Sequence, residues 1–243
     1  ESEAAHFLRG WSGVSDFGLD LEWKPTFQAG EAPSRSALLQ ISSGPWVLIF
    51  DLFARRRMRS PMPDCLWKFL TNESHTFYGM GLVEDLARLA FEFDTICHGV
   101  DFARRAWPEI VLGGGLGGLG NRVLGTTVQQ SKKVTMSNWQ LRPLSQVQLT
   151  YLAEDAYLSW AVADHFLIER KAPVCAEWPL TMAELYAGGR KFLEHGLAVP
   201  KPAYDWTAAR LEHEEAAKAK AAQRIIKAAA WAVSEAQEGE VPL

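Results

Sequence analysis

Two acidic residues that alternate with apolar ones form the segment of this chain with the clearest chemical potential. Residues 19–23 read Leu-Asp-Leu-Glu-Trp, and in a β-strand residues two apart point to the same face. Asp20 and Glu22 would therefore lie side by side. Neighbouring carboxylates repel, and burying either without a partner is costly. A cation between them would remove this conflict, and all-oxygen ligands suit Mg²⁺ or Mn²⁺. A half-exposed edge strand would show the same alternation.

Two later segments carry further acids at helical positions. Glu84 and Asp85 begin a helical pattern directly after a predicted short strand. Acids suit the positive end of a helix dipole, so these residues could serve the helix alone. Tyr151 and Asp155 are four residues apart in the helical pattern over 144–170, which places them on one face of the helix. Taken separately, each pair also fits an ordinary protein surface.

Basic residues at two places could contact phosphate groups. Arg55, Arg56 and Arg57 belong to the densest basic run of the chain, and Lys132 and Lys133 form a separate pair. A solvated loop would explain the arginine run equally well. The net charge is −4, so any attraction of nucleic acid must come from local patches.

A glycine-rich run matches the pattern GxGxxG at Gly115, Gly117 and Gly120. A dinucleotide site needs an apolar strand directly before this pattern and an acid about 20 residues after it. Both are missing here, so we expect no cofactor at this run. We predict a glycine-rich loop that enters a helix over 119–124.

The remaining patterns predict an α/β fold. Strands over about 14–23, 37–42 and 46–51 follow one another with short turns, which indicates an antiparallel meander. Strand and helix then alternate, and a further strand is predicted over 95–99. Ser145 is the predicted N-cap of the helix that carries Tyr151.

The C-terminal part has a different composition. We predict a domain over 1–172, followed by a loop-rich segment and a long Ala-rich helix over 173–243. The helix at 207–235 bears an apolar stripe of Ala222, Ile225, Ile226, Ala229 and Val233. The stripe could pack on its own domain, but it is narrow. It therefore favours docking on a partner protein or on a second copy of this chain.

Composition limits the compartment and the class of protein. The chain has 243 residues and is 48% hydrophobic, which allows a large core. It has no apolar run long enough to span a membrane, so no membrane partner is expected. Cys65, Cys97 and Cys175 are far apart, which favours an intracellular reducing compartment. Nuclear and organellar locations both remain open, and a targeting segment could be missing because the sequence does not begin with Met.

Three segments together resemble the DEDDy-type 3′–5′ exonucleases of the DnaQ/RNase D superfamily. They are Gly18–Pro25, Tyr78–Asp85 and Tyr151–Tyr157. The closest resemblance is to the Werner syndrome protein exonuclease domain and its stand-alone relatives. Leu119–Gly125, Lys132–Trp139 and Pro143–Ser145 are similar to that branch in order and spacing. The likeness covers about residues 10–170, and the glycines at 113–118 and the tail beyond 175 depart from it.

The resemblance implies an RNase H-like fold, a mixed sheet flanked by helices. It also implies hydrolysis of phosphodiester bonds with two divalent cations, Mg²⁺ or Mn²⁺. Asp20 would bridge both ions, Glu22 and Asp155 would complete the first site, and Asp85 would hold the second through water. Tyr151 would orient the attacking water. Nucleoside 5′-monophosphates would leave from the 3′ end of single-stranded DNA or RNA.

Two alternatives stay open. The chain could trim RNA, as RNase D does, because contacts to the 2′-hydroxyl cannot be identified from these motifs. The fold could instead serve as a structural or adaptor subunit that is held in an assembly by the Ala-rich helix. All four acids and the tyrosine are present, which favours an active nuclease.

Overall fold

One mixed β-sheet forms the centre of the fold. The computed structural model describes residues 3–28, 30–58, 61–104, 107, 114–171, 180–198 and 204–238, with side chains in the last range described as far as residue 224. Within these ranges the strands are β1 (Asp16–Trp23), β2 (Ser36–Ser43), β3 (Trp46–Asp51), β4 (Thr76–Gly79) and β5 (Gly99–Asp101). Their order in the sheet is β3-β2-β1-β4-β5. The first three strands form the predicted antiparallel meander, and β4 and β5 run parallel to β1.

Helices cover both faces of the sheet. They are α1 (Glu3–Arg9), α2 (Leu52–Arg57), α3 (Asp64–Leu70), α4 (Leu82–Phe93), α5 (Gly115–Leu124), α6 (Lys132–Thr135), α7 (Gln146–Asp164), α8 (Met182–Glu194) and α9 (Thr207–Glu238). Helix α7 begins with the predicted cap. The Ser145 hydroxyl accepts a hydrogen bond from the Gln148 N–H at 3.3 Å, and the Gln148 side chain accepts one from the Ser145 N–H at 3.0 Å. A π-helical turn over His165–Glu169 continues α7.

The predicted alternation along β1 divides apolar from acidic side chains. Leu19 and Leu21 are buried in the larger core, which they share with α1, α3 and α4. Asp20 and Glu22 point to the opposite face, toward Asp155 on α7. A second core between β4, α5 and α7 fills that face beside the acids. The central strand thus carries apolar packing on one side and carboxylates on the other.

A glycine lets α7 lie directly on β1. A Cβ atom at Gly18 would stand 2.1 Å from the carbonyl oxygen of Ala156 and 2.5 Å from the backbone nitrogen of Trp160. Neither backbone atom can move away without displacing the helix. Any side chain at position 18 would therefore separate α7 from the strand that holds Asp20 and Glu22.

The start of β5 differs from the prediction. A strand was expected over 95–99, whereas β5 spans Gly99–Asp101. Asp94 adopts a left-handed conformation with φ of 53°, and the Thr95 N–H donates to the carbonyl oxygen of Leu89 at 3.2 Å. Asp94 and Thr95 therefore belong to the C-terminal cap of α4, and the chain joins the sheet only at Gly99.

The glycine-rich run also differs from the prediction. Helix α5 begins at Gly115, four residues before the expected start. Glycine has a low helix propensity, but packing can outweigh it. A Cβ at Gly120 would stand 2.8 Å from a methyl group of Leu158 on α7, so the missing side chain allows the two helices to approach each other.

The C-terminal extension packs on the central fold. Leu185 and Phe192 of α8 belong to the larger core, and the ring of Trp206 stacks on Phe91 of α4 at 4.4 Å. The domain boundary at residue 172 lies outside the described residues and stays a prediction. Docking through helix 207–235 also stays a prediction, because the side chains from residue 225 onward lie outside the described part. None of the helices, as far as they are described, is long and apolar enough to cross a membrane.

Of the two cysteines that the structure describes, Cys65 is half-buried and Cys97 is a buried free thiol. Burial raises the pKa of the Cys97 thiol, which keeps it protonated. Cys175 lies outside the described residues. The predicted reducing compartment stays a prediction.

We expect Gly18→Ala to lower the free energy of unfolding by about 3 kcal/mol or more, because overpacking against backbone atoms cannot relax easily. Urea denaturation measures this change. Gly13→Ala is the matched control, since Gly13 has φ of +84° and open space around it, and it should cost only about 1 kcal/mol. Equal losses for the two variants would contradict a close approach at Gly18.

Candidate active site

Three carboxylates from two elements meet at the carboxyl end of β1. Asp20 and Glu22 come from the strand, and Asp155 comes from α7. Each offers an oxygen that lies within 4.8 Å of the oxygens of the other two. Glu22 and Asp155 are 8% and 5% exposed. Residues separated by 133 positions thus form one acidic group, as the sequence predicts.

Asp85 lies in the same cleft but outside this group of three. It stands in the first turn of α4, is 5% exposed, and faces the charges of Asp20 and Glu84. Asp101 on β5 fixes the start of that helix, because its carboxylate accepts hydrogen bonds from the N–H groups of Gly81 at 2.8 Å and Val83 at 3.3 Å. Asp101 is not among the residues predicted for the site, although an acid at the end of a short parallel strand is a signal for one.

The four acids open into one cleft of about 570 Å³. The strand β1, the helices α4, α7 and α8, and the segments around α5 and α6 supply its walls. Besides the four acids, its polar and charged lining includes Thr26, Glu84, Arg88, Gln130, Thr135, Tyr151 and Lys191. The cleft is therefore acidic at its centre and has few cations along its walls.

Burial and mutual repulsion raise the pKa values of the carboxyl groups. The pKa of Asp20 is raised by burial and by the charge of Asp155. Burial, with the charges of Asp20, Asp155 and Asp85, raises the pKa of Glu22 to about 11. Burial also raises the pKa of Asp155 to about 7, although hydrogen bonds from Tyr151 and Gln130 oppose this change. The folded protein thus holds these acids together against their own charge.

This donor set fits a hard divalent cation. All ligands in the group of three are carboxylate oxygens, which suit Mg²⁺ and Mn²⁺ better than softer metals. A cation among Asp20, Glu22 and Asp155 would reverse the effect of their mutual repulsion and favour the ionised forms. Asp85 is close enough to raise the pKa of Glu22, so it could share in binding.

A buried glutamine orients Asp20. Gln40 lies opposite Asp20 in the β1–β2 ladder and is fully buried. With its amide nitrogen toward β1, it donates to Oδ2 of Asp20 at 3.1 Å and to the main-chain oxygen of Asp20 at 2.9 Å. Gln40 is not among the residues predicted for the site, although a lone amide within the apolar run of β2 is a signal for one.

A second glutamine connects Asp155 to the glycine-rich helix. The Gln130 amide donates a hydrogen bond to Oδ1 of Asp155. Its own oxygen accepts a hydrogen bond from the Gly117 N–H at 3.2 Å. A Cβ at Gly117 would stand only 3.1 Å from that oxygen. The glycines that resemble a cofactor motif therefore make room for the side chain that positions an acid of the site.

Tyr151 lies one helical turn before Asp155. Its hydroxyl interacts with the Asp155 carboxylate and accepts a hydrogen bond from the Thr135 hydroxyl at 3.3 Å. Burial raises the pKa of Tyr151, and the charges of Asp155 and Glu22 act in the same direction. The phenol therefore stays protonated at neutral pH.

The segment Ser137-Asn138-Trp139 packs against Tyr151 through its tryptophan. Trp139 is fully buried, its ring lies 5.6 Å from the ring of Tyr151, and its Nε1 donates to the carbonyl oxygen of Thr135 at 3.2 Å. Arg142 then joins this segment to the sheet through two bonds to Asp51, of 2.6 and 2.7 Å. The segment thus fixes the tyrosine side of the cleft.

The predicted phosphate-binding arginines lie on α2 rather than in a loop, and none of them lines the cleft as the structure describes it. Arg56 donates to the buried carboxylate of Glu92 at 3.0 Å and to the carbonyl oxygen of Ser36 at 3.2 Å. This pairing gives Arg56 a structural role. Arg55 donates to the carbonyl oxygen of Pro61 at 3.0 Å, and the guanidinium of Arg57 lies 6.0 Å from the ring of Phe53.

Lys132 and Lys133 are exposed on α6, close to the cleft residue Thr135. They do not line the cleft themselves in the described part of the chain. Nucleic-acid binding by these two lysines, and by Arg55 and Arg57, stays a prediction.

A family comparison agrees with this geometry. The family model described as 3′–5′ exonuclease matches residues 1–169. The chain belongs to the 3′–5′ exonuclease family. The match includes Asp20, Glu22, Asp85, Tyr151 and Asp155, and it ends before the extension that contains α8 and α9. The carboxylate cleft thus lies largely within the region that the chain shares with this family.

Two curated relatives show how far the likeness extends. A 3′–5′ exonuclease of Arabidopsis thaliana is 29% identical over 155 residues, which is 61% of this chain and 51% of the relative. The bifunctional 3′–5′ exonuclease/ATP-dependent helicase WRN of Mus musculus is 31% identical over 144 residues, which is 58% of this chain and 10% of the relative. The chain thus matches about half the length of one relative and a tenth of the other.

A solved structure confirms the predicted RNase H-like α/β fold of this family member. The RNase D of Trypanosoma brucei superposes with a TM-score of 0.58 at 21% identity, over 84% of this chain and 71% of that chain. The same enzyme has also been solved in complex with the RNA U12, with a TM-score of 0.55. At this level of identity, the likeness establishes the fold alone.

We expect Gln130→Leu to weaken Mg²⁺ binding by about tenfold, because residues that orient metal ligands typically affect affinity on this scale. Isothermal titration calorimetry measures the affinity. Gln129→Leu is the matched control, since the neighbouring Gln129 is exposed and away from the cleft. Equal Mg²⁺ affinities for the two variants would show that Gln130 does not orient a metal ligand.

We expect Asp155→Asn to stabilise the metal-free protein at pH 8. The folded protein keeps a proton on Asp155 up to a pKa of about 7, whereas the unfolded chain releases it near pH ~4. Metal-free stability should therefore fall as pH rises between these values, and asparagine removes this loss. Thermal melting in chelator should show a higher Tm for the variant at pH 8 and little difference near pH ~4.

Glu73→Gln controls for the removal of one negative charge, since Glu73 is exposed between α3 and β4, whereas the charge of Glu154 itself raises the pKa of Asp155. It should show no comparable gain between the two pH values. A Tm of the Asp155→Asn variant at or below that of the wild type at pH 8 would mean that burial and neighbouring charge do not raise the pKa of Asp155.

Proposed function

We propose that this chain is a metal-dependent 3′–5′ exonuclease that shortens nucleic acid from its 3′ end. The observation that carries the proposal is the meeting of Asp20, Glu22 and Asp155 within 4.8 Å, with Asp85 and Tyr151 in the same cleft. This set contains every residue of the DEDDy pattern. The family match supports the class of reaction, and the tyrosine subtype is part of the proposal.

Two divalent cations, Mg²⁺ or Mn²⁺, would be held by these acids. Asp20, Glu22 and Asp155 would hold one, and Asp20 with Asp85 would hold the other, since the charge of Asp20 acts on both Glu22 and Asp85. When bound, such ions supply Lewis acidity that activates water and offsets the charge on phosphate. Gln40 and Gln130 keep Asp20 and Asp155 in orientation for this task.

Tyr151 would position the attacking water rather than take its proton. The raised pKa keeps its hydroxyl protonated, so it can donate and accept hydrogen bonds but cannot act as a base at neutral pH. The water oxygen bonds to phosphorus and its proton passes to solvent. The bond from phosphorus to the 3′ oxygen of the preceding nucleotide breaks, and that oxygen is protonated. A nucleoside 5′-monophosphate leaves.

The substrate would be a single strand with a free 3′ end. The mouse relative WRN is named as an exonuclease and helicase, and the trypanosome RNase D has been solved with RNA, so DNA and RNA are both candidates. Phosphate contacts and base stacking would hold a single strand. A purely structural role as an adaptor would leave the oriented carboxylates without a function.

Degradation of end-labelled single strands tests the proposal. DNA and RNA carrying either a 3′ or a 5′ label are incubated with the chain in Mg²⁺, in Mn²⁺ or in chelator. The 5′-labelled strand should give a ladder that shortens with time, and the 3′-labelled strand should release a labelled mononucleotide at once. Asp20→Ala should reduce the rate by at least about 10³-fold and still unfold cooperatively, because it removes a shared ligand and no core packing.

The same assay identifies the substrate, since the faster of the DNA and RNA ladders marks the preferred nucleic acid. Glu73→Ala removes an exposed acid between α3 and β4 that does not line the cleft, and it should leave the rate unchanged. Absence of degradation under every condition would favour the adaptor function instead, and full activity of Asp20→Ala would disprove the ligand assignment.

A further inference from the structure

Helix α8 supplies a cation to the wall of the cleft. Lys191 lines the same cleft as the four acids, although α8 lies beyond residue 169, where the family match ends. Its side chain is exposed. A residue outside the matched region thus faces the space that a substrate would occupy.

The position of α8 is fixed by a pair of glycines. A Cβ at Gly189 would stand 2.1 Å from the ring of Phe91, and a Cβ at Gly188 would stand 3.0 Å from Cβ of Ala87. Both contacts are with α4, the helix that carries Asp85. Because the two helices approach so closely, Lys191 has a defined place relative to the acids.

Arg88, the other cation among the described residues that line the cleft, already has partners within the protein. Arg88 donates to the Glu84 carboxylate at 3.0 Å and to the carbonyl oxygen of Ser34 at 2.8 Å. Its guanidinium also lies between two rings, 3.6 Å from the ring centroid of Trp23 and 5.0 Å from that of Phe192. This set of contacts holds Arg88 in place and leaves its charge compensated.

Lys191 is therefore the cation available to a substrate among the described residues that line the cleft. It forms no ion pair with any described residue. Five carboxylates line the same space, namely Asp20, Glu22, Glu84, Asp85 and Asp155. A polyanion entering this cleft meets strong repulsion unless cations offset it.

We propose that Lys191 binds a backbone phosphate of the substrate strand, so that α8 forms one wall of the nucleic-acid-binding cleft. This inference rests on the proposed function, since it assumes that a nucleic acid enters the cleft. A lysine acts on phosphate as a point charge and does not select bases. Lys191 would therefore contribute affinity for any sequence and would leave the chemical step to the four acids.

Lys191→Met tests this role by removing the charge while keeping most of the side-chain length. Binding of a fluorescent single-stranded oligonucleotide is measured by anisotropy in Mg²⁺, so that cations offset the charge of the carboxylates, and the 3′-terminal linkages of the oligonucleotide are of a kind that resists hydrolysis. The affinity should fall about tenfold at low salt, the effect of losing one charge-assisted hydrogen bond. The slope of log K against log salt should decrease by about 0.7, which corresponds to one phosphate contact on a single strand.

Arg190→Met is the matched control. Arg190 is the neighbouring residue of α8, is also exposed, and does not line the cleft. It should leave the affinity and the salt slope unchanged. In the cleavage assay with Mg²⁺, Lys191→Met should raise KM and leave kcat close to that of the wild type, because the acids and Tyr151 are untouched.

Replacing single phosphates of the oligonucleotide by neutral methylphosphonates identifies the contact. One position should weaken wild-type binding without weakening Lys191→Met further, since the same interaction cannot be lost twice. If the wild type binds the strand and the Lys191 and Arg190 variants have equal affinities and salt slopes, the role of Lys191 is wrong. The proposed function would still stand in that case. A wild type that binds no strand would overturn the proposed function together with the role of Lys191.

Discussion

The whole site depends on the absence of a side chain at one position of the central strand. Gly18 lets the backbone of α7 rest on β1, and this contact sets the distance between Asp155 and the two acids of the strand. The remaining features support that contact from outside. Gly120 lets α5 pack against Leu158 of α7, and the ring of Trp139 lies against that of Tyr151. Backbone proximity, rather than any single hydrogen bond, thus creates the carboxylate group.

The group that results works against the stability of the protein that holds it. Burial and repulsion raise the pKa values of Asp20, Glu22, Asp85 and Asp155. The hydrogen bonds from Gln40 and Gln130 restrain the carboxylates but do not neutralise them. The surrounding core must therefore be rigid enough to keep the acids in place until a cation arrives. Strain of this kind is common at functional sites, where the fold maintains an arrangement that local energetics alone would not favour.

The sequence predicted what depends on local periodicity. Alternation along β1 placed Asp20 and Glu22 on one face, and helical spacing placed Tyr151 near Asp155. What it did not predict depends on contacts between distant segments. The arginine Arg56 is held by Glu92, which lies 36 residues away, and no local pattern announces such a pair. The glycines from 115 to 120 discouraged a helix because their partners, Gln130 and Leu158, become neighbours only after folding.

The way in which α8 joins the core also bears on how this chain can be divided. The match to the family model ends at residue 169, yet Phe91 of the matched region packs against Gly189 and Trp206 of the extension. A fragment cut at residue 169 would leave this ring and its apolar neighbours facing water. The region that the family model describes is therefore smaller than the unit that folds here. The extension cannot be exchanged as an independent module without repairing the surface of α4 that it covers.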